Sequence, residues 1–419
     1  MIIIEFIYSI FILALIFVVK ISSRFNAKIK LLNNGQKNWK KRLETDFNNV
    51  NEKVVWIHCS SLGEFEQGRP IIEALKHDFP NVKILLTFFS PSGYEVRKNY
   101  QGVDWTYYLP FDTKKNAKAF IEIVKPQIAI FVKYEYWFYY LKTLNKKNIP
   151  VIMISALFQK RQVFFKWYGG FHRKMLHFIT HFFVQNKASK DLLNKLSIDK
   201  VSIVGDTRVD RALTISEKAK DFPIIKDFKK ESLLIIAGST WKVDEILLFE
   251  CLAALKKLDI KLIIAPHEIH TAHIEEIEDR FKIFKPSRFT SGIIELGSKV
   301  LIVDTIGQLS EIYSFADYCW IGGGFNKTGI HNSIEAAVYN KSLLWGPNYQ
   351  RYQEAIDLIN LGVAMSFENS HQLKDYIQES ILHPEIKKIA EQKAQQYIVN
   401  SKGATEKIIQ FIKQQNIFL

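Results

Sequence analysis

Short apolar runs recur along almost the whole chain, each closed by a loop of small or polar residues and followed by a helix-like stretch. Val54 to Cys59 runs into Ser60-Ser61-Leu62-Gly63-Glu64, and a helix is predicted from Gln67 to Lys76. Val82 to Phe88, Ile128 to Val132, Val151 to Ile154, Phe182 to Gln185 and Val201 to Val204 repeat the pattern. After a polar, charged stretch from Ile215 to Ser232 it starts again, at Leu233 to Ala237, Lys261 to Ala265, Val300 to Val303, Tyr318 to Ile321 and Ser342 to Trp345. Continuous apolar strands alternating with helices are what a parallel sheet covered on both faces requires. The expected fold class is therefore α/β, with two Rossmann-like doubly wound domains.

At 419 residues the chain has the length for two such domains. The expected boundaries are an anchor helix over residues 1–22, a first domain over 23–212 and a second over 213–419. The last of these includes a helix-like run from Glu385 to Ile417, whose mixed charges read as a solvated surface. In open α/β sheets ligands bind beyond the carboxyl ends of the strands, so a cleft between the halves is the expected site.

The anchor reading rests on Met1 to Val19, which is apolar apart from Glu5, Tyr8 and Ser9 and is followed by Lys20, Arg24, Lys28 and Lys30. A run of about 18 residues is just long enough to span a bilayer, with its basic flank kept in the cytoplasm. A cleaved signal peptide is the weaker reading, because no positive region precedes the apolar run and no small-x-small site follows it. A helix packed on the protein, or a shallow insertion, stays open.

Lys and Arg number 57 against 43 Asp and Glu, a net charge of +14 that predisposes the surface to meet anions. The basic residues are spread rather than gathered in a nucleic-acid-binding module, so no nucleic-acid partner is expected. Basic and aromatic side chains interleave between Phe158 and Phe183, where Lys160 and Arg161 are the first cations. That mixture suits an anionic membrane headgroup zone as well as ordinary core packing. Cys59, Cys251 and Cys319 sit in apolar stretches with no zinc spacing, as buried thiols of a reducing compartment would.

Three loops carry candidate chemistry. Gly322-Gly323-Gly324 leaves a strand and leads through His331-Asn332 to a helix-like run from Ile334 to Tyr339 that includes Glu335. Glycines there let backbone approach a ligand, and a helix N-terminus attracts an anion. Ser239 and Thr240 follow Ala237-Gly238 at the end of another strand, where hydroxyls reach a phosphate or cap a helix. Glu64 follows the first strand at a helix start, as a general base or as a carboxylate that complements the helix dipole.

Taken in order, the motifs resemble those of the 3-deoxy-D-manno-octulosonic acid (Kdo) transferases of the lipid IVA family. The resemblance runs through Ser-Leu-Gly-Glu at 61–64, Ser-Pro-Ser-Gly at 90–93, Gly-Asp-Thr-Arg at 205–208 and Ala-Gly-Ser-Thr at 237–240. It continues through Gly-Gly at 322–323, Gly-Ile-His-Asn-Ser-Ile-Glu at 329–335 and Gly-Pro-Asn-Tyr at 346–349. It implies a GT-B fold and an inverting, cofactor-free transfer of Kdo from CMP-Kdo to a lipid A precursor. The first domain would bind the acceptor and the second the donor, at the cytoplasmic face of an anionic inner membrane. It implies that Glu64 is the base, that Glu335 grips the ribose, and that Arg208, Ser239, Thr240, His267, Gly323, His331 and Asn332 surround the donor. Ser90, Glu135, Lys160 and Arg161 are the acceptor or membrane candidates. The absence of an Asp-x-Asp motif agrees with transfer without a metal.

The chain departs from the family in three places. Gly-Asn-x-Lys is here Gly205-Asp206-Thr207-Arg208, Pro-Arg-His-Pro-Glu-Arg is Ala265-Pro266-His267-Glu268-Ile269-His270, and the first Glu of Glu-x-Glu-Leu-Trp-Pro-Asn is Lys133. The rival functions are a GT-B enzyme that uses a UDP-sugar and another lipid-linked acceptor, and a catalytically silent membrane scaffold.

Overall fold

The computed structural model describes residues 2–218 and 220–418, without the side chains of Ile2 and Ile3. The chain divides into two compact units, Met1–Asp210 with Lys402–Leu419, and Arg211–Ser401. Each is built on a seven-stranded sheet in which every pairing is parallel.

The first sheet contains β1 (Val54–Cys59), β2 (Lys83–Phe88), β3 (Trp105–Tyr108), β4 (Ile128–Val132), β5 (Val151–Ala156), β6 (His181–Val184) and β7 (Val201–Ile203), in the order β3-β2-β1-β4-β5-β6-β7. Its strands are buried on both faces. Trp56, Leu85, Phe131 and Met153 enter one apolar cluster, whereas their neighbours Ile57, Leu86, Ile130 and Ile154 enter another. That two-sided burial is why these strands read as unbroken apolar runs instead of alternating ones.

The second sheet contains β8 (Leu233–Thr240), β9 (Ile260–Pro266), β10 (Ser287–Arg288), β11 (Val300–Ile302), β12 (Tyr318–Ile321), β13 (Ser342–Trp345) and β14 (Ala364–Ser366), in the order β10-β11-β9-β8-β12-β13-β14. β3, β10 and β14, which the apolar pattern did not predict, are all edge strands. An edge strand has one neighbour and less cover, so its sequence carries less of the apolar signal.

The end of the chain differs from expectation. Glu385 to Ile417 forms two helices, Pro384–Ser401 and Ala404–Gln414, broken at Gly403, which has φ +88°. The second helix is not a solvated surface, and residues 402–419 belong to the first unit. Ala404, Ile408, Ile409 and Ile412 are buried in the core that contains Ile71, Ile72 and Leu75. Asp210 holds the turn by accepting from the backbone N–H groups of Gly403 and Thr405, both at 2.6 Å.

The N-terminal helix Ile2–Ser22 includes a stretch, Ile4–Ser22, long and apolar enough to cross a membrane. The three cysteines are free and buried, as the sequence predicts.

Candidate functional site

Each sheet winds outward in both directions from one strand: β1 lies between β2 and β4, and β8 between β9 and β12. Ligands of doubly wound sheets bind beyond the carboxyl ends of strands at such a reversal. In the first unit those ends lead to Glu64, after β1, and Glu135, after β4. In the second they lead to Ser239 and Thr240, at the end of β8, and Gly322–Gly324, after β12.

The helix after β1 starts earlier than predicted, at Leu62, and runs to Asp78 with Ser61 as its cap. Glu64 therefore stands in the first turn and closes a capping box: the Ser61 backbone N–H donates to Oε2 at 3.0 Å, and the Ser61 hydroxyl donates to the same oxygen. Oε1 makes no hydrogen bond among the described residues. Burial pushes the neighbouring Cys59 thiol pKa well up, with the charges of Glu64, Glu135 and Glu66 adding to it. Glu66 is ion-paired with Arg97 at 3.0 Å.

Ser90 caps the helix Pro91–Arg97 by accepting from the Ser92 N–H, and its own N–H donates to Ser60 O at 2.7 Å. The loops after β1 and β2 thus brace one another. Glu135 is buried, and its Oε2 accepts from Trp137 Nε1 at 2.7 Å and lies 3.1 Å from Nε2 of the buried His58. His58 Nδ1 is 2.9 Å from Thr87 Oγ1, which also accepts from Trp56 Nε1. Lys160 and Arg161 are exposed in the turn after β5.

Arg208, expected among the donor contacts, lies in the first unit on the helix Thr207–Glu217. Its guanidinium grips Asp206 through Nε and Nη2, the shortest contact being 2.7 Å. Gln67 and Gln185 also donate to the Asp206 carboxylate. Burial would raise the Asp206 pKa, but the Arg208 charge and hydrogen bonds outweigh it and hold the group below the usual range. The acid and the arginine that depart from the family pattern are therefore one another's partners.

The second unit gathers the remaining donor candidates. Ser239 adopts a left-handed φ of +54° at a register shift between Gly238 and Thr240 in the β8–β9 pairing, a bulge that turns the strand end. His267 N–H donates to Thr240 O at 2.9 Å, Gly322 N–H to Gly238 O at 2.8 Å and His331 N–H to Gly322 O at 3.0 Å. The glycines are required by close approach. A Cβ on Gly322 would stand 2.2 Å from Ser239 O, and one on Gly324 would stand 2.4 Å from Gly346 N. Gly323 has φ +89°, and a Cβ there would stand 2.8 Å from Gly329 O.

Around this loop the rings of Trp241, His267 and His331 stack, with His267 4.7 Å from Trp241 and 4.4 Å from His331. Trp241 Nε1 donates to His331 Nε2 at 2.9 Å. Burial, with a smaller contribution from His267, pushes the His331 pKa down to about 4. At neutral pH the ring is uncharged and, since Nε2 accepts, its N–H is at Nδ1. Asn332 Nδ2 donates to Glu335 Oε1 at 2.9 Å. The helix at Glu335 is shorter than predicted, Ile334–Ala337, so a single turn provides no sustained helix dipole.

Sequence reasoning missed Trp241, Asp244 and Glu245. Asp244 is buried and accepts from Gly323 N–H, Trp241 N–H and Trp320 Nε1 at 3.0, 3.0 and 3.2 Å. Burial, opposed by those bonds, pushes its pKa up to about 6. Glu245 accepts from the Thr240 hydroxyl at 3.0 Å and pairs with His273, so Thr240 is held from behind. Two adjacent acids in the first turn after Thr240 were the available signal.

Comparison with known proteins places these loops in context. Residues 37–211 match the family 3-deoxy-D-manno-octulosonic-acid transferase (kdotransferase). That stretch is less than half of the chain, and through it the chain is similar to the Kdo transferases. The 3-deoxy-D-manno-octulosonic acid transferase of Haemophilus influenzae is 24% identical over 372 residues, covering 86% of each chain. That of Aquifex aeolicus is 26% identical over 327 residues, covering 76% of this chain and 84% of the relative. A bifunctional glycosyltransferase/methyltransferase of Fusobacterium nucleatum is 25% identical over 78% of this chain, which spans only 53% of that protein. In fold the chain is similar to UDP-GlcNAc 2-epimerase from Neisseria meningitidis, with TM-score 0.60 and 18% identity over 86% of this chain and all of the other. MurG of Acinetobacter baumannii follows with TM-score 0.55 and 13% identity over 86% and 99%. The architecture is GT-B.

Proposed function

We propose that the chain is an inverting glycosyltransferase that moves Kdo from CMP-Kdo to a hydroxyl of a lipid A precursor at the cytoplasmic face of the inner membrane. Glu64 takes the proton of the acceptor hydroxyl. The oxygen forms a bond to the anomeric carbon of Kdo as the bond from that carbon to the CMP phosphate oxygen breaks, and CMP leaves with the electron pair. The carrying observation is the position of Glu64: a carboxylate in the first helical turn beyond β1, held through one oxygen by Ser61.

The donor loops of the second unit support the same reading. A phosphate is a multivalent acceptor, and an uncharged His331 with N–H at Nδ1, the Ser239 and Thr240 hydroxyls and close-approaching glycine backbone are donor groups. Glu335, oriented by Asn332, suits a pair of ribose hydroxyls. Arg208 already gives Nε and Nη2 to Asp206, whose carboxylate offsets its charge toward a donor phosphate.

The test is incubation of the full chain with CMP-Kdo or with UDP-sugars and a tetraacylated lipid A precursor, read by product mass. A mass gain of Kdo units from CMP-Kdo alone is expected. Consumption of a UDP-sugar instead, or no consumption together with no CMP-induced thermal shift, would support the UDP-sugar enzyme or the silent scaffold respectively.

A further inference from the structure

The N-terminal helix carries three polar residues inside its apolar run, and the structure gives each a partner on the first unit. Lys142 Nζ lies 2.6 Å from both Glu5 carboxylate oxygens, Tyr8 OH donates to Asp112 Oδ2 at 2.6 Å, and Ser9 Oγ lies 2.5 Å from Tyr139 OH. Further along the same face, Ile12 and Val19 are buried against Leu32, Tyr108 and Phe111. Residues 5, 8, 9, 12 and 19 form one helical stripe. Contact therefore runs from Glu5 to Val19, about 21 Å at about 1.5 Å per residue.

A helix docked along that length takes its partner surface wherever it goes. If it crossed a bilayer whose hydrocarbon is about 30 Å thick, Lys142, Asp112 and the adjoining loop backbone would enter hydrocarbon with it, at high cost. The opposite face of the helix is unpartnered. Phe6, Ile7, Phe11, Leu13, Phe17 and Val18 are 55–64% exposed. Phe25, in the turn just beyond the helix end, is 86% exposed. At the Tyr8 end Phe171 packs 5.6 Å from the Tyr8 ring, and Trp167, just before it in the chain, is 91% exposed. Lys20, Arg24, Lys28 and Lys30 are all exposed at the other end.

We propose that this helix does not span the membrane but lies in its plane, as a hydrophobic plate that seats the first unit on an anionic lipid leaflet. The occupant is fixed by chemistry: a continuous apolar face for the acyl region, aromatic rings at both ends for the interface, and a cluster of cations for anionic headgroups. The proposal rests on the membrane location proposed above only for its occupant, and fixes the geometry of attachment.

The test adds full-length protein to preformed phosphatidylglycerol/phosphatidylcholine vesicles. A single cysteine appended ahead of Met1 through a short polar linker, and in a second variant Lys187→Cys, is treated from outside with a membrane-impermeant maleimide, the three native cysteines being buried. An in-plane helix leaves both cysteines outside, so both are modified to the same extent. Protection of the appended cysteine with full labelling at position 187 means that the helix crosses, and overturns the proposal while leaving the membrane location standing. In parallel, a fluorophore on Phe6→Cys, Leu13→Cys or Val18→Cys should be quenched equally by lipids brominated near the headgroup. Deep quenching confined to position 13 overturns the in-plane geometry, and failure to bind these vesicles overturns the membrane location as well.

Discussion

Trp241 Nε1 donates to His331 Nε2 at 2.9 Å, and the two rings lie nearly parallel, 11° apart. This bond sets the tautomer of a histidine whose neutral form is already favoured by burial. Because the folded pKa, about 4, lies below the ordinary 6.5, the unfolded chain takes up the proton first as pH falls. The associated stability is complete above about pH 6.5 and is lost as pH falls toward about 4. Histidine NMR on labelled protein should find His331 neutral with its proton on Nδ1 throughout that window. Trp241→Phe should free the tautomer. A resonance that titrates near 6.5 would contradict the assignment.

Asp244 carries the opposite sign. With its folded pKa raised to about 6, the native state holds that proton more tightly than the unfolded chain, and stability is lost as pH rises from 3.8 through about 6. The charge is tolerated because three donors, one of them Gly323 N–H, converge on it. Asp244→Ala leaves those donors without a partner and should cost about 3 kcal/mol in denaturant unfolding of the second unit. The CMP-induced thermal shift should shrink with it, since the Gly323 loop loses its tether.

Gly324→Ala tests the close approach directly. The new methyl would meet backbone rather than a side chain that can move, so relaxation is not cheap. A loss of about 2 kcal/mol or more is expected from thermal or urea unfolding. Gly292→Ala, at an open position with φ +66°, is the control for conformational strain alone.

The sequence pattern identified the ten central strands and the edge strand β7, because both sheets are covered on both faces, which forces continuous apolar runs. It missed β3, β10 and β14, which as edges need less apolar character. The loops after β1, β8 and β12 were legible because small residues and hydroxyls at strand ends are unusual in a core. Trp241 and Asp244 were not, since an aromatic and an acid at a helix start look ordinary until they converge on Gly323 and His331. His58 was hidden for a related reason: a histidine within an apolar strand shows its partner, Glu135, only when β1 and β4 are paired. The helix Ala404–Gln414 was misread because its charges lie on one face, while Ile408, Ile409 and Ile412 bury the other.

Asp206 and Arg208 should behave as a unit. Asp206→Asn alone leaves a largely buried guanidinium without its carboxylate and should cost about 3 kcal/mol. Adding Arg208→Lys, which gives the Asn-x-Lys pattern of the Kdo transferases that the chain resembles, should recover part of that loss. A double-mutant cycle in urea reads the coupling, expected at about 1–3 kcal/mol. Additive losses would mean that the two residues act independently.

The central claim is that Glu64 is the base. Gln at this position can still accept from the Ser61 N–H and preserve the capping box, so Glu64→Gln should fold with nearly unchanged stability. Measured with saturating CMP-Kdo and a tetraacylated lipid A precursor, its turnover should fall at least about 100-fold while CMP binding is retained. Kdo transfer by folded Glu64→Gln at the rate of the unsubstituted chain would contradict the account.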